Sequence, residues 1–306
     1  MFMSKMINIM PVPIKQRYLQ WRQARMMKVF RSHPEKLAVK NYKNVFGENP
    51  NLKNPKNLIE KIIWLQFNSD TSLWTLCADK FRVREYVKNR GQEDILCKLY
   101  GVWEDANQID FDVLPEEFVL KTNNSCGQII IVRNKADLNI KETRDKLRQW
   151  MSQGYGYSNA QMHYTRIEPC IIAEELLESE STSSLVDYKI WCFNGVPECI
   201  LVCSERIPGQ GVYSLSMYDT EWNNISEQAL NTQSIHFRGT EIPKPDNFNA
   251  MLHYASKLSE GFPEVRVDLY NIYGRIVFGE LTFTTGYGSY KKSFYEYLGS
   301  KVQIKQ

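Results

Sequence analysis

The 306-residue sequence has no run of about 18 apolar residues, so no segment is expected to cross a membrane as a helix. It has no Cys-x-x-Cys pair and no Cys/His cluster. Its seven cysteines are dispersed, with Cys199 and Cys203 the nearest pair. A disulfide scaffold and a structural zinc site are therefore not expected, and the thiols read as small core residues in a reducing cytoplasm. Histidine is scarce: His33, His163, His236 and His253 are scattered, and no histidine constellation is visible. Net charge is small, +3, too little to argue for nucleic acid as a partner. No glycine-rich loop ends in GK[ST], which excludes a Walker phosphate site. Internal repeats and low-complexity tracts are also missing.

What is present is a globular composition. Hydrophobic residues make up 43% and charged residues 24%, with 7 Trp, 17 Tyr and 14 Phe. That supports an ample core in one large domain or two to three closely packed subdomains. The start is not expected to act as a signal peptide, because Pro11 and Pro13 interrupt it and no small-residue cleavage site follows. After Pro13, Lys15, Arg17, Arg22, Arg25 and Lys28 interleave with Ile14, Tyr18, Leu19, Trp21 and Met26. Two readings of residues 14–30 stand: a helix packed on the body with a solvated basic face, or a helix that docks on a membrane surface or a partner.

Residues 14–110 read mostly helical. LIEKIIWLQF (58–67) and DKFRVREYVKNRG (79–91) have three-to-four spacing, with Gly91 as a stop, and 47–57 is a turn-rich connector. From residue 118 the period changes. FVLKT, QIIIV, CIIAEELL, DYKIWCFNG and PECILVC read as strands, the last two joined at Asn194-Gly195. Helices are predicted over 141–154 and 247–262, while 204–245 reads as a polar, turn-rich excursion. Helices first, then mixed strands and helices, suggest α+β with antiparallel sheets.

Three groups carry candidate chemistry. In VRVDLYNIYGRIVFGELTF (265–283), strict alternation puts Val265, Val267 and Leu269 on one face and Arg266 and Asp268 on the other. In the return strand it sets Phe278, Glu280 and Thr282 against Val277, Gly279, Leu281 and Phe283. A turn at 271–274 can bring Asp268 beside Glu280. Two adjacent carboxylates repel unless a cation, a proton or an arginine lies between them: the readings are Mg2+, a structural pair neutralised by Arg266, or two solvated acids on a surface hairpin. FVLKTNNSCGQIIIV delivers Lys121 into a small polar loop (Thr122, Asn123, Asn124, Ser125, Cys126, Gly127) that suits phosphate oxygens, or is an ordinary hairpin loop. IIAEELLE ends a strand at Glu174-Glu175, either a nucleobase hinge or solvated acids. Asp187 and Lys189 share a face of the next strand, and Lys80 is placed on a basic helix.

The order of these groups resembles the ATP-grasp superfamily, in particular its TupA-like branch, named after teichuronopeptide biosynthesis. The matching phrases are NPKNLIEKIIWLQF, DKFRVREYV, LPEEFVLKTNNSCG, IIAEELLE, DYKIWCFNGVPE and FPEVRVDLYNIYGRIVFGELTFTTGYG, across roughly residues 45–290. The resemblance implies an α+β ATP-grasp fold with ATP held between two antiparallel sheets. It implies a mainly helical region over 1–110, a small subdomain with the phosphate loop over 111–173 and a catalytic subdomain over 174–306. It implies ATP-binding roles for Lys80, Lys121, Asn124, Ser125, Gly127, Glu174, Glu175, Leu177, Asp187 and Lys189, Mg2+ ligation by Asp268, Glu280 and Thr282, and catalysis by Arg266 with Lys121. Thr282 stands where the superfamily commonly has asparagine, and Asn124 where a histidine is usual in the branch.

By that resemblance the expected activity is ATP-dependent carboxylate–amine ligation through an acyl phosphate. The expected substrates are an amino acid and a uronic acid of a bacterial capsular or other surface polysaccharide, or its precursor, in the cytoplasm or at the inner face of the membrane. Three alternatives remain at this point: a kinase of a sugar or hydroxyl, a polysaccharide glycosyltransferase, and a non-catalytic nucleotide-binding partner of a synthesis complex.

Overall fold

Asn57 begins the helix Leu58–Asn68 with a reciprocal cap: its side chain accepts from the Glu60 N–H at 3.0 Å, and Glu60 accepts from the Asn57 N–H at 3.2 Å. The same buried Glu60 carboxylate also accepts from the N–H groups of Asn51 and Lys56, so the turn-rich connector is organised by one acid. The computed structural model describes residues 12–157, 160–178, 184–207, 212–234 and 240–304. Residues 1–11, with the start discussed above, lie outside the described residues, as do 208–211 and 235–239 of the 204–245 segment.

Helices Val12–Ser32, Pro34–Phe46, Leu58–Asn68, Ser72–Ala78 and Val83–Asn89 precede the sheets. The first sheet has four antiparallel strands in the order β1-β4-β2-β3: β1 is Leu99–Trp103, β2 Phe118–Thr122, β3 Ile129–Val132 and β4 Ile171–Glu174. Its core, with Phe118, Leu120, Ile171 and Ala173, is closed by Leu147 from the helix Ile140–Ser152. The second sheet has five strands in the order β7-β6-β5-β8-β9: β5 is Asp187–Phe193, β6 Val196–Ile207, β7 Val212–Asp219, β8 Val265–Ile272 and β9 Arg275–Thr282. It packs in a second, larger core with the helices Leu58–Asn68, Phe248–Ser259 and Lys292–Lys301. Two apolar cores under two sheets give the α+β architecture expected.

Two strands were not expected. β1 interrupts the stretch read as helical, and its five residues are all half-buried, so no face stands out in the sequence. β7 occupies part of the segment read as a polar excursion: Ser214 and Ser216 are buried, and Thr240 accepts from Ser216 and hydrogen-bonds with Ser214. Polar residues satisfied inside a sheet carry no apolar signature. The Asn194-Gly195 turn is as predicted, with φ of 51° and 84°.

Strict alternation fails at Gly279. Asp268 pairs with Glu280 but Leu269 with Phe278, a register shift of one residue. The bulge turns Phe278 to the core side with Leu269 and Leu281, and Val277 to the side of Asp268. Glycine is required there because a Cβ would stand 2.9 Å from the Asp268 carbonyl oxygen. The helix Val12–Ser32 exposes Trp21, Arg22, Arg25 and Lys28, with the Arg25 guanidinium 5.5 Å from the Trp21 ring centre. The side chains of Lys15, Leu19 and Met26 lie outside the described residues. Among the described residues no helix is long and apolar enough to cross a membrane.

The last helix approaches the cap of Leu58–Asn68 through Gly299, where a Cβ would lie 2.1 Å from the Lys56 carbonyl oxygen and 2.6 Å from the Asn57 carbonyl carbon. Neither backbone atom can swing away. Gly299→Ala is expected to lose about 1–3 kcal/mol of stability, as overpacked cores do. Urea unfolding measures it, and wild-type stability in the variant would contradict this account of the packing.

Candidate active site

Arg266, Asp268 and Lys189 form the buried floor of the site. Trp191, Lys189 and Asp187 on β5 pair respectively with Arg266, Asp268 and Tyr270 on β8, so the central pair of strands aims Asp187, Lys189, Arg266 and Asp268 at one face. Asp268 is 1% exposed and accepts a fork from Arg266, 2.7 Å from Nε and 2.8 Å from Nη2. Lys189 Nζ bonds the same carboxylate and stands 2.7 Å from Asp187. Burial alone would raise the Asp268 pKa, but Arg266 and Lys189 outweigh it and hold the carboxyl below its usual range. Burial dominates at Asp187, whose carboxyl is raised despite Lys189, and its Oδ1 has no hydrogen-bond partner among the described residues.

Glu280 is different. Its side chain is 32% exposed, with its nearest cations, Lys80 and Arg266, at 3.9 Å. The Thr282 hydroxyl accepts from Arg266 at 3.1 Å and donates to Glu280 at 3.2 Å. Arg266 has five N–H donors. Four are engaged: Nε and one from Nη2 on Asp268, the other Nη2 donor on Thr282, and one from Nη1 on Thr285 at 3.2 Å. One Nη1 hydrogen is left over from these bonds.

Lys80 was expected on a helix and lies instead in the turn between Ser72–Ala78 and Val83–Asn89. Asp79 is the reason: its Oδ1 accepts from the N–H groups of Phe81 and Arg82 and starts the helix late. The turn lets the Lys80 ammonium donate to the Ser125 carbonyl while facing Glu280. The 122–127 loop is held from below. Asn123 exchanges bonds with Cys170 and donates to the Glu168 carbonyl, and Thr122 bonds Ser125 and Gln128. Asn124 is buried with its Oδ1 unpartnered among the described residues, and Gly127 takes φ +74°.

Lys121 pairs with Glu174, which Arg84 approaches at 3.4 Å. Glu175 spends its carboxylate on a fork from Arg275 at 2.6 and 2.9 Å, tying the first sheet to β9, while Leu177 is half-buried beyond it. The structure thus brings Lys80, Arg266, Asp268, Glu280 and Thr282 into one network and links Lys189 and Asp187 to it. Arg84, Arg206 (3.4 Å from Asp187), Thr285 and Glu264 were missed. Glu264 was legible: it precedes Arg266 and Asp268 at alternate positions, and it is fully buried with both oxygens unpartnered among the described residues. Six cations (Lys80, Arg84, Lys121, Lys189, Arg206, Arg266) meet four carboxylates (Glu174, Asp187, Asp268, Glu280) in these pairs, an excess of positive charge.

Comparison with protein families matches residues 60–303 to TupA-like ATPgrasp. The chain belongs to the TupA-like ATP-grasp family. Its fold is the ATP-grasp fold, with the two antiparallel sheets described above. Solved structures similar to this TupA-like chain include D-alanine–D-alanine ligase from Bacillus anthracis complexed with ATP (12% identity, TM-score 0.42, covering 74% of this chain and 63% of that one). The ADP complex of purK, N5-carboxyaminoimidazole ribonucleotide synthetase, is similar at 14% identity and TM-score 0.45, covering 74% and 51%. The ATP-grasp ligase PsnB with a minimal precursor is similar at 10% identity and TM-score 0.39, covering 75% and 60%. This chain therefore matches between about half and two thirds of those proteins' lengths. Comparison with curated proteins finds no match.

Among the described residues no three His, Cys, Asp or Glu side chains are grouped to hold a metal ion. The Asp268–Glu280 pair still suits Mg2+, which takes one or two carboxylates and completes its shell with water and phosphate oxygens. Glu280 is open enough to bind. Asp268 can offer only the lone pairs that Arg266 and Lys189 leave.

Beneath the site His163 packs edge-on to Trp74 and Phe283, with neither ring nitrogen partnered among the described residues. Burial, helped by Arg166, pushes its pKa from 6.5 down to about 3. Below its ordinary pKa the unfolded chain takes up a proton that the folded chain refuses, so stability falls as pH falls through that interval. Between pH 6.5 and 5 this group is expected to remove about 1–2 kcal/mol. His163→Phe should remove that part of the pH dependence in urea unfolding at the two pH values. An unchanged difference would show that His163 is not held neutral.

Proposed function

We propose that this protein is an ATP-dependent carboxylate–amine ligase that joins an amino acid to a uronic acid of a bacterial surface polysaccharide, or its precursor, through an acyl phosphate. The observation that carries the reading is Lys80, whose ammonium joins the Ser125 carbonyl of the 122–127 loop to the open carboxylate of Glu280. In this reading residues 1–110 are the helical region, 111–173 the small subdomain, to which the 99–103 strand is added, and 174–306 the catalytic subdomain.

A carboxylate that attacks a γ-phosphate brings two anions together, so the excess of cations in the site is what the reaction needs. Lys80, Lys121 and Lys189 neutralise phosphate oxygens, and the 122–127 loop covers them and keeps water from the acyl phosphate. Glu174, Glu175 and Leu177 form the adenine hinge, with backbone groups making contact, because the Glu175 carboxylate is committed to Arg275. Asp187, with its unpartnered Oδ1, accepts from a ribose hydroxyl. Asn124, Ser125 and Gly127 present the loop to phosphate. Asp268 and Glu280 would hold Mg2+, which supplies charge neutralisation at the phosphates. Thr282 is engaged with Arg266 and Glu280, and so supports that pair more directly than it could serve as a ligand. Arg266 keeps one Nη1 hydrogen for the oxyanion that forms when the amine attacks the acyl carbon. The exposed Trp21, Arg22 and Arg25 face is the surface by which the protein would dock on the membrane or a synthesis complex.

Thermal shift, isotope tracing, turnover and urea unfolding test this. ATP with Mg2+ should raise the melting temperature, and Lys80→Ala should lessen the shift. With an 18O-labelled acceptor carboxylate, label should pass to inorganic phosphate. Glu280→Gln should lower turnover at least about 100-fold with little change in urea stability. A stable phosphorylated acceptor with no label in free phosphate would make the protein a kinase instead, and absence of an ATP shift would end the reading.

A further inference from the structure

A cavity of about 340 Å³ opens beside Thr285, between the helix Pro34–Phe46 and the strand-end segment after β9. Asn41, Asn44, Gln161, Thr285, Gly286 and Tyr287 are among the residues that line it, and among the described residues none of its lining side chains is charged. Gln161 donates from its amide nitrogen to the Thr284 hydroxyl at 2.7 Å and carbonyl at 3.2 Å, which leaves its Oε1 buried and without a partner among the described residues. A buried acceptor in that state costs free energy until a donor reaches it. Thr285 connects the cavity to the chemistry, because its hydroxyl accepts from Arg266 Nη1, the nitrogen with a hydrogen to spare.

We infer that this cavity is the subsite for the sugar ring of the acceptor, a hexuronic acid unit whose carboxylate points past Thr285 toward Arg266. The inference rests on the ligase reading for the direction of the carboxylate. The lining chemistry chooses the occupant. Amide groups and a hydroxyl offer donors and acceptors to ring hydroxyls, Tyr287 offers an aromatic face, and the size falls at the lower end of small-molecule sites. An amino-acid substrate would bring an ammonium group, and among the described residues no lining carboxylate receives it. Specificity for the sugar then resides in Asn41 and Asn44 of the second helix.

The test uses the full chain without nucleotide, so that it does not depend on ATP. Saturation-transfer NMR with D-glucuronic acid and D-galacturonic acid should show binding of at least one, uncompeted by L-alanine or L-glutamate. Gly286→Val should reduce the signal at least about five-fold by filling the mouth, since a Cβ at Gly286 meets no atom within 4 Å and the fold is kept. Asn44→Leu, on the exposed helix face, should reduce it as well, and neither variant should alter the ATP-induced thermal shift. Absence of binding to either sugar, wild-type binding in both variants, or displacement by the amino acids would each overturn the assignment. Loss of the ligase reading is seen separately, as a wild-type protein that binds the sugar and gives no ATP shift.

Discussion

The fork between Arg266 and Asp268 is the interaction on which the site depends. Asp268 is almost wholly buried, and an isolated carboxylate there would cost several kcal/mol. Its position is tolerable only because Arg266 meets both oxygens and Lys189 meets one of them. Removing either partner of such a pair typically costs about 3–5 kcal/mol. Arg266 in turn is held by Thr282 and Thr285 as well as Asp268, so β8, the end of β9 and the segment beyond it are set relative to one another by a single guanidinium.

That rigid floor contrasts with the contacts that join the two sheets. Lys80 to Glu280 is a 3.9 Å approach between partly exposed groups, and Arg275 to Glu175 lies nearer the surface still. Exposed pairs contribute about 0–1 kcal/mol each and are screened by salt. The floor is therefore built to keep its geometry, while the Lys80–Glu280 approach across the gap contributes little to holding it.

Much of the fold was legible because apolar periodicity was strong where packing was one-sided. The helix read over 58–67 and the strand β2 stand where they were read, as does the Asn194-Gly195 turn; β4 and β5 were read a few residues too long, and β6 over 197–203 of its 196–207. β1 and β7 escaped because uniform half-burial in one and buried serines in the other leave no alternating apolar signal. The pairing of Asp268 with Glu280 was legible from the hairpin, but the face of Phe278 was not: a bulge shifts register without changing composition, and Gly279 was its only mark.

By itself the sequence determined that Arg266, Asp268 and Glu280 lie on one face of a hairpin and that Lys121 stands near the end of a strand before a small polar loop, because side-chain direction along a strand is a local property. It also determined the family, through the order of motifs along the chain. Only the tertiary structure decided which cations meet which acids. Lys80 reaches Ser125, 45 residues on, and Glu280, 200 residues on; Arg206 reaches Asp187 from the far end of β6; and Thr285 engages Arg266 beside a cavity walled by the second helix. Such contacts come from the packing of separate elements around two cores, and residues that meet through packing have no fixed spacing in the chain.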